Sequence, residues 1–430
     1  MTSLQCVTKE AAWAAVVGLD WADQKHDIVL HATGSAPDEH QQLVHTPEAI
    51  DEWACGLRER FGGRPVAVCF EQTRGPIAYA LLKYDFLVLA PLPPARLASY
   101  RQAFHASGAK DDPTDAALLL DYALRHPDQL RVWQPDTAET RELRLLAETR
   151  RRIVDQRTAF SNQLTAALKQ YFPQALLLAG EELHAPLACD FLARWPTLEA
   201  VQRASSATLR KFYYAHGCRS ETRIAERLAL LSTARPLTDD PAVIHAALFL
   251  LRFLIGQLRA FHKPLAHIER HIQQLMARHP DGPLFSALPG AGDVLAPRLL
   301  VAFGSDRQRF ASAAELQTFS GVAPVTKRSG KRSVVHRRWA CPKFLLQTFH
   351  EFAHWSRRKS PWAAAFYRQQ RATGKGHHAA LRTLAFKWIR ILFRCWKTRT
   401  PYCEQTYLAS LQKRTAPLLA FLEPSPNPCA

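Results

Sequence analysis

Between about residues 14 and 91, short apolar runs alternate with helical stretches, and this order constrains the fold more than any other feature of the sequence. The first three runs predict strands over WAAVVGLD, HDIVLHAT and QQLVHT. A helix is expected over PEAIDEWACGLRERF, and two more strands over VAVCF and FLVLAPL, with helical GPIAYALLKY between them. The order predicts an α/β domain whose ligands lie outside the carboxyl ends of its strands.

Two acidic residues close apolar strand runs in this region. Asp20 ends WAAVVGLD and Glu71 follows VAVCF, so both side chains are expected at one edge of the sheet. Asp112 and Asp115 open the helix DAALLLDYAL, and a spacing of three puts them on one helical face. Clustered carboxylates hold one or two Mg²⁺ ions, and without a cation four such acids repel one another. The sequence therefore predicts a magnesium site made by these four residues.

Asp112 and Asp115 also fit a structural role. Asp112 precedes Pro113 as an N-cap does, and Asp115 three residues later completes something like a capping box. Taken alone, the cap is the better interpretation. With Asp20 and Glu71 upstream, and with the strand order that of a ribonuclease H-like fold, metal ligation is favoured.

The formal charge of +18 is concentrated in one segment. Lys327 to Arg399 contains 19 Lys or Arg and one acid, Glu351, so the rest of the chain is neutral overall. Such a field attracts a polyanion, and the alternative is a solvated charged face. Aromatic residues among the bases are expected to form a base-stacking or backbone-tracking surface. They are Trp339, Trp355, Trp362, Phe366, Tyr367, Trp388 and Trp396.

A serine lies in the most basic part of that segment. Ser329 in GVAPVTKRSGKRS could be a nucleophile, because flanking cations would stabilise the charge of a phosphoryl transition state. By composition alone, an ordinary loop serine is the better interpretation. The residues expected to contact nucleic acid are Lys327, Arg328, Lys331, Arg332, Arg337 and Arg338.

The middle of the chain predicts long helices. Two sets of apolar residues repeat at coiled-coil spacing: Leu146, Ile153, Phe160 and Ala167, then Ile244, Ala247, Leu251, Leu254, Leu258, Phe261, Leu265, Ile268, Ile272 and Leu275. The second seam should kink at Pro264, and it packs either within the chain or on another protomer. Residues 173–240 look less regular. LPGAGDVLAPRLL resembles one hairpin of a helix-hairpin-helix, with glycines that let backbone N–H groups face a phosphate.

Nine scattered cysteines without CxxC pairs, and no signal-peptide pattern, lead us to expect a cytoplasmic protein. The most apolar helix, AALFLLRFLIGQL, is short and contains Arg252, so no membrane partner is expected. Four parts are expected: an α/β catalytic domain over 1–130, a helical coiled-coil linker over 131–280, a mostly α-helical domain over 281–402 and a tail over 403–430.

Several motifs resemble those of DEDD-type insertion-sequence transposases, the serine recombinases that a bridge RNA guides, with pilin-gene-inverting invertases among their relatives. AKDDPTDA is similar to the K-x-D-x-x-D-A signature of this family. LPGAG, then F-x-S-x-x-E-L, then G-x-A-P-x(4)-S-G are similar to its C-terminal domain, and TGKGHHAALRTLAFKWIRILF to its closing G-K-x(3)-A helix. The resemblance covers about residues 14–126 and 284–402.

The resemblance implies a RuvC-like N-terminal domain whose DEDD tetrad corresponds to Asp20, Glu71, Asp112 and Asp115, and a nucleophile that corresponds to Ser329. It also implies a covalent serine-phosphate intermediate, composite sites in a tetramer, and a non-coding RNA that pairs with donor and target DNA. The chain departs from the family in its long middle segment and in WACPKF. The alternatives are a resolvase-like, structure-selective endonuclease that uses water, and a non-catalytic nucleic-acid-binding protein.

Overall fold

The computed structural model describes residues 13–34, 37–71, 75–104, 112–330 and 332–422, with only the backbone for Phe104, Asp112 and Pro113. Lys331 and the side chain of Asp112, both predicted site residues, lie outside this part of the chain. The chain forms two compact units. The sheet unit consists of Met1–Thr137, Gly304–Leu346 and Arg382–Lys397, and the helical unit of Ala138–Phe303, Gln347–Leu381 and Thr398–Ala430. The four-part division expected from the sequence stays a prediction.

The sheet unit contains a five-stranded sheet of order β3-β2-β1-β4-β5. Its strands are β1 Ala15–Asp20, β2 Lys25–Ala32, β3 Glu39–Val44, β4 Val66–Phe70 and β5 Leu87–Pro91. β2 pairs antiparallel with β1 and β3, whereas β4 pairs parallel with β1 and β5. This mixed sheet confirms the predicted order of strands and is consistent with a ribonuclease H-like fold.

The helices of this region are α1 Pro47–Phe61, α2 Pro76–Leu81, α3 Pro94–Phe104 and α4 Asp112–Arg125. α1 has the limits that the sequence predicts. It begins after Thr46, whose hydroxyl accepts a hydrogen bond from the Ala49 amide at 3.2 Å, and it ends at Gly62, which has φ of 61°. Residues of α1 and α2 share one buried cluster with one face of the sheet, and residues of α4 share another with the opposite face.

Helices dominate the rest of the described chain. In order they are α5 Ala138–Tyr171, α6 Ala175–Leu178, α7 Pro186–Arg194, α8 Leu198–Gln202, α9 Ser206–Ala215, α10 Glu221–Thr233, α11 Pro241–Ala260, α12 His262–Arg278, α13 Gly282–Ser286, α14 Gly292–Phe303 and α15 Ala313–Phe319. A two-stranded hairpin of β6 Val325–Ser329 and β7 Arg332–His336 follows. The last elements are α16 Lys343–Ser356, α17 Pro361–Ala372, α18 His377–Thr398, α19 Glu404–Lys413 and a 3₁₀ turn, Pro417–Phe421.

The predicted apolar seam packs within the chain. Leu251, Leu254 and Leu258 of α11 lie in one buried cluster with Leu164 and Leu168 of α5. The sequence left open whether this seam meets another helix of the same chain or a second protomer, and the structure selects the first. Residues 173–240 form the five helices α6–α10, all of which supply residues to this cluster, so this region is more regular than expected.

The long apolar stretch Pro241–Arg278 is interrupted where the sequence predicts a kink. α11 ends at Ala260 and α12 begins at His262, because Pro264 has no N–H to donate to the carbonyl group of Ala260. By length and composition alone, this stretch could also cross a membrane. Its apolar character comes from the buried seam and from exposed apolar residues of α11 such as Phe249 and Phe253.

Candidate active site

Two of the predicted metal ligands lie side by side at one edge of the sheet. Asp20 is the last residue of β1 and Glu71 follows the last residue of β4. These strands are parallel neighbours with Leu19 opposite Phe70, so the two acids are level with each other. Side chains alternate between faces of a strand, and this alternation directs both acids to the face that carries α4. The sequence prediction of a shared edge is thus supported by the register.

A glycine brings α4 close to this edge. A Cβ atom on Gly18 would lie 2.1 Å from the carbonyl oxygen of Ala116 and 2.6 Å from the amide nitrogen of Leu120. The backbone of α4 therefore rests directly on β1, two residues before Asp20. Sequence reasoning missed this residue, although a glycine inside a strand is a known signal of a close backbone approach.

Asp115 lies in the first turn of α4, next to Ala116. Its side chain is 2% exposed and forms a bidentate ion pair with Arg101 of α3. Asp112 is the first residue of α4. In the described part of the chain, no three His, Cys, Asp or Glu side chains stand close enough together to hold a metal ion. The fold thus brings Asp20, Glu71 and α4 to one corner, and at present Asp115 is bound to a guanidinium.

Two histidines brace the chain that follows Asp20. The Ala22 amide donates to Nδ1 of His26 at 3.2 Å, and Nε2 of His26 lies 2.9 Å from Nδ1 of His45. Burial, together with the neighbouring His45, lowers the pKa of His26 to about 4. His26 is therefore neutral at physiological pH and can accept the hydrogen bond that fixes the turn beside Asp20.

Ser329 lies at the end of β6, on an exposed hairpin rather than in the loop that its surroundings suggested. It stands opposite Arg332, and Lys327 stands opposite Val334. Paired residues share a face and the face alternates along a strand, so Ser329, Lys327 and Arg332 project on one side. Gly330, with φ of 54°, makes the turn after Ser329.

The other predicted contacts of this segment differ in exposure. Arg328 is exposed but projects from the opposite face of the hairpin, with Ser333. Arg337 is exposed, and its guanidinium lies 5.0 Å from the ring centre of Trp339. Arg338 is half-buried, and its Nε donates to the carbonyl oxygen of Ala323 at 3.4 Å. Arg337 is therefore the better placed of these two arginines to meet a polyanion.

The predicted aromatic surface is wrong for three of its seven residues, and Phe366 and Tyr367 are half-buried. Trp362, Trp388 and Trp396 are completely buried, whereas Trp339 is 70% exposed and Trp355 is 47% exposed. Trp388 and Trp396 share one face of α18 with Leu384 and Leu392, also fully buried, at a spacing of four residues. That spacing in the sequence is typical of a core-facing helix and could have been used to predict their burial.

The hairpin and the acidic sheet edge belong to one compact unit. Asp136, after the sheet, accepts a hydrogen bond from the Ser305 amide at 2.9 Å and pairs with Arg309 at 2.9 Å. Arg131 also pairs with Glu315. These contacts attach the segment that carries Ser329 to the domain that carries Asp20, Glu71 and Asp115.

The predicted helix-hairpin-helix turn lies between α13 and α14. Gly290 has φ of 80°, and a Cβ there would lie 2.8 Å from the backbone carbonyl of Trp355. The glycine is thus needed for packing against the end of α16, whereas a Cβ on Gly292 would meet open space. That its amides bind phosphate stays a prediction.

Comparisons with known proteins point to the same chemistry. Residues 17–173 match a DEDD-type family described as "Transposase", and residues 282–368 match the "Transposase IS116/IS110/IS902 family". The "Mini-circle putative transposase for IS117" of Streptomyces coelicolor is 28% identical over 411 residues, which are 93% of this chain and 98% of that protein. The "Insertion element IS900 uncharacterized 42 kDa protein" of Mycobacterium paratuberculosis is 27% identical over 317 residues, 72% of this chain and 78% of that protein.

One match covers the acidic sheet and the other covers the serine hairpin, in the order in which the sequence motifs occur. The chain therefore belongs to the IS110/IS116/IS902 family of insertion-sequence transposases, enzymes that transfer phosphoryl groups in DNA.

Proposed function

We propose that this transposase cuts and rejoins DNA through a covalent ester between Ser329 and a DNA phosphate. The observation that carries the proposal is the position of Ser329 at the end of an exposed hairpin strand, on the same face as Lys327 and Arg332. A phosphate that approaches this face meets the hydroxyl oxygen and two cations together. Those cations stabilise the negative charge that develops on the nonbridging oxygens.

The chemistry is a reversible exchange of esters. The Ser329 oxygen forms a bond to phosphorus, the bond from phosphorus to the leaving sugar oxygen breaks, and the serine proton is transferred so that the leaving strand ends in a hydroxyl group. Attack by a second strand's hydroxyl on the serine ester forms the new DNA bond and restores Ser329. The number of phosphate ester bonds is unchanged, so rejoining needs no nucleotide cofactor.

The acidic edge of the sheet is the proposed metal site. Asp20, Glu71, Asp112 and Asp115 offer only carboxylate oxygens, the ligand type that Mg²⁺ prefers, and this donor set fits the metal dependence typical of DEDD transposases. Mg²⁺ bound there would neutralise charge on the scissile phosphate. The role of these side chains is to hold the ion and to keep it at the edge beside α4.

The proposed partners are donor DNA, target DNA and a guiding non-coding RNA in the cytoplasm. Support for the nucleic acids comes from the basic segment Lys327–Arg399 and, for the RNA, from the motifs that resemble bridge-RNA-guided recombinases. Sequencing the RNA that copurifies with the protein tests this part, and a preparation that is active and free of RNA contradicts it.

A homo-oligomer is also proposed, through an outer stripe on α11 that is separate from the buried seam. The outer stripe consists of Ala242, Ala246, Phe249, Phe253, Gly256 and Ala260. These residues are spaced alternately by four and three, and all are exposed. Exposed fractions of 73% for Phe249 and 55% for Phe253 are unusual for phenylalanine. A second copy of α11 has the matching heptad spacing to cover them.

Trapping of a protein–DNA adduct tests the serine chemistry. A labelled substrate with a nick that blocks rejoining should give a slow band on a denaturing gel, and protease should remove that band. Ser329→Ala should give no such band while retaining DNA binding, since one hydroxyl adds little to a contact with many phosphates. Ser333→Ala is the matched control, because Ser333 projects from the opposite face of the hairpin and should not be required.

Cleavage without an adduct would favour the alternative of an endonuclease that uses water. If Ser329→Ala also cleaves DNA without an adduct and at the native rate, Ser329 takes no part in the reaction. Neither result would alter the assignment to the transposase family, which rests on the two family matches.

A further inference from the structure

Arg101 occupies both oxygens of a proposed metal ligand. Its Nε lies 2.8 Å from Oδ1 of Asp115 and its Nη2 lies 2.6 Å from Oδ2. The Asp115 side chain is 2% exposed and that of Arg101 is 17% exposed. A carboxylate so deeply buried needs a neutralising partner, and a bidentate guanidinium is a strong one. In this structure Arg101 supplies the positive charge that neutralises Asp115.

The ion pair between Arg101 and Asp115 is not needed merely to hold α3 against α4. Two other contacts already attach α3 to the region of α4: Tyr100 donates to Asp121 at 2.6 Å, and Arg96 donates to the Gln129 carbonyl oxygen at 3.2 Å. Arg101 is in the last turn of α3 and reaches the first turn of α4, the turn that begins with Asp112. Its contact is thus the one that meets the proposed site.

A guanidinium cannot lose its charge at any pH at which the protein functions. A divalent cation that binds Asp115 therefore meets a positive group on the same carboxylate, and like charges at short distance disfavour each other. Either Arg101 loses a hydrogen bond to one oxygen of Asp115, or the metal ion binds despite repulsion by the guanidinium. In both cases the arginine weakens metal binding.

We infer that Arg101 is a positioning residue that holds Asp115 in place of a cation and sets a threshold for metal loading of the acidic edge. This inference rests on the proposed function, since it takes Asp115 as a metal ligand. It also proposes how that site is regulated. Without metal, the Arg101 guanidinium neutralises Asp115 and disfavours the binding of adventitious cations. A metal ion binds Asp115 only when it displaces the guanidinium or overcomes its repulsion.

Titration of the full-length protein with Mn²⁺, followed by calorimetry, tests the inference without an activity assay. Arg101→Gln keeps hydrogen-bond donors near Asp115 but removes the charge, and it should bind Mn²⁺ on the order of tenfold more tightly than the native protein. Arg101→Lys retains the charge and should stay within about twofold of the native affinity. Mn²⁺ should also raise the melting temperature of Arg101→Gln more than that of the native protein.

The inference would be overturned if Arg101→Gln bound Mn²⁺ no more tightly than the native protein. It would also be overturned if Arg101→Lys gained as much Mn²⁺ affinity as Arg101→Gln. Should Arg101→Gln fold only when Mn²⁺ is present, the ion has replaced the guanidinium and the inference is supported. Failure to fold with or without Mn²⁺ would make Arg101 a structural strut and overturn it. Asp115→Asn distinguishes failure of this inference from failure of the proposed metal site. If this variant binds Mn²⁺ like the native protein, the proposed metal site itself is wrong.

Discussion

Gly18 decides how closely α4 can approach the strand that ends in Asp20. A methyl group at this position would overlap backbone atoms of Ala116 and Leu120, which cannot rotate away as a flexible side chain would. The helix must then move as a whole, and Asp115 moves with it. The separation of Asp20 from Asp115 therefore depends on a residue that has no side chain of its own.

Gly18→Ala should accordingly destabilise the protein by about 1–3 kcal/mol and weaken Mn²⁺ binding and DNA cleavage together. Gly56→Ala is the matched control: Gly56 lies in α1 with open space around it, and the change should stabilise that helix by roughly 0.5–1 kcal/mol. Thermal unfolding and Mn²⁺ calorimetry measure both effects. Native affinity in a folded Gly18→Ala protein would show that α4 does not position a metal ligand.

At this scale the sequence predicted some roles and not others. Asp20 and Glu71 could be placed at one edge because each closes an apolar run, a local pattern. The partner of Asp115 could not be predicted, since an ion pair with Arg101, 14 residues away, leaves no periodic signal in the sequence. Trp388 and Trp396 follow the four-residue spacing of a core-facing helix, but the bases around them favour a surface position.

Among the elements, helix α11 is apolar on two sides, and the described part of the chain covers only one of them. The buried seam meets α5, and the outer stripe remains exposed. The sequence predicted the seam because its spacing is regular over several turns, but it could not distinguish the two stripes without knowledge of which one α5 covers. The serine hairpin was missed for a related reason: both its strands are short and polar, so they lack an apolar alternation.

Phe249→Glu should disrupt association of the protein, because it places a charge in the middle of the outer stripe. Leu177→Glu is the control, since Leu177 of α6 is also exposed, at 65%, but lies outside the stripe. Light scattering after size-exclusion chromatography, over a range of concentrations, should give a multiple of the chain mass for the native protein and for Leu177→Glu. Phe249→Glu should shift towards the single chain. A native protein that is monomeric throughout would contradict the proposed interface.

The whole molecule combines distant parts of the sequence in each unit. The segment with Ser329 joins the acidic sheet through contacts such as that of Asp136 with Arg309, which are more than 170 residues apart. Spacing within a sequence carries no information about such pairs, so the grouping of sheet and serine hairpin could not be predicted. The concentration of positive charge in Lys327–Arg399, by contrast, could be predicted from the sequence, because it depends only on the number of charged residues in that segment.

Arg337 offers the sharpest test of the role of that charge. Its guanidinium is exposed over Trp339, so it is free to meet a phosphate, whereas Arg338 is bound to the Ala323 carbonyl group. Arg337→Ala should reduce the slope of log affinity against log salt by about 0.9, the contribution of one phosphate contact. Arg338→Ala should change the slope less. Arg203→Ala, on a highly exposed arginine outside the basic segment, should leave the slope unchanged. DNA affinity measured at several salt concentrations gives these slopes, and an affinity that does not depend on salt would refute the electrostatic account of binding.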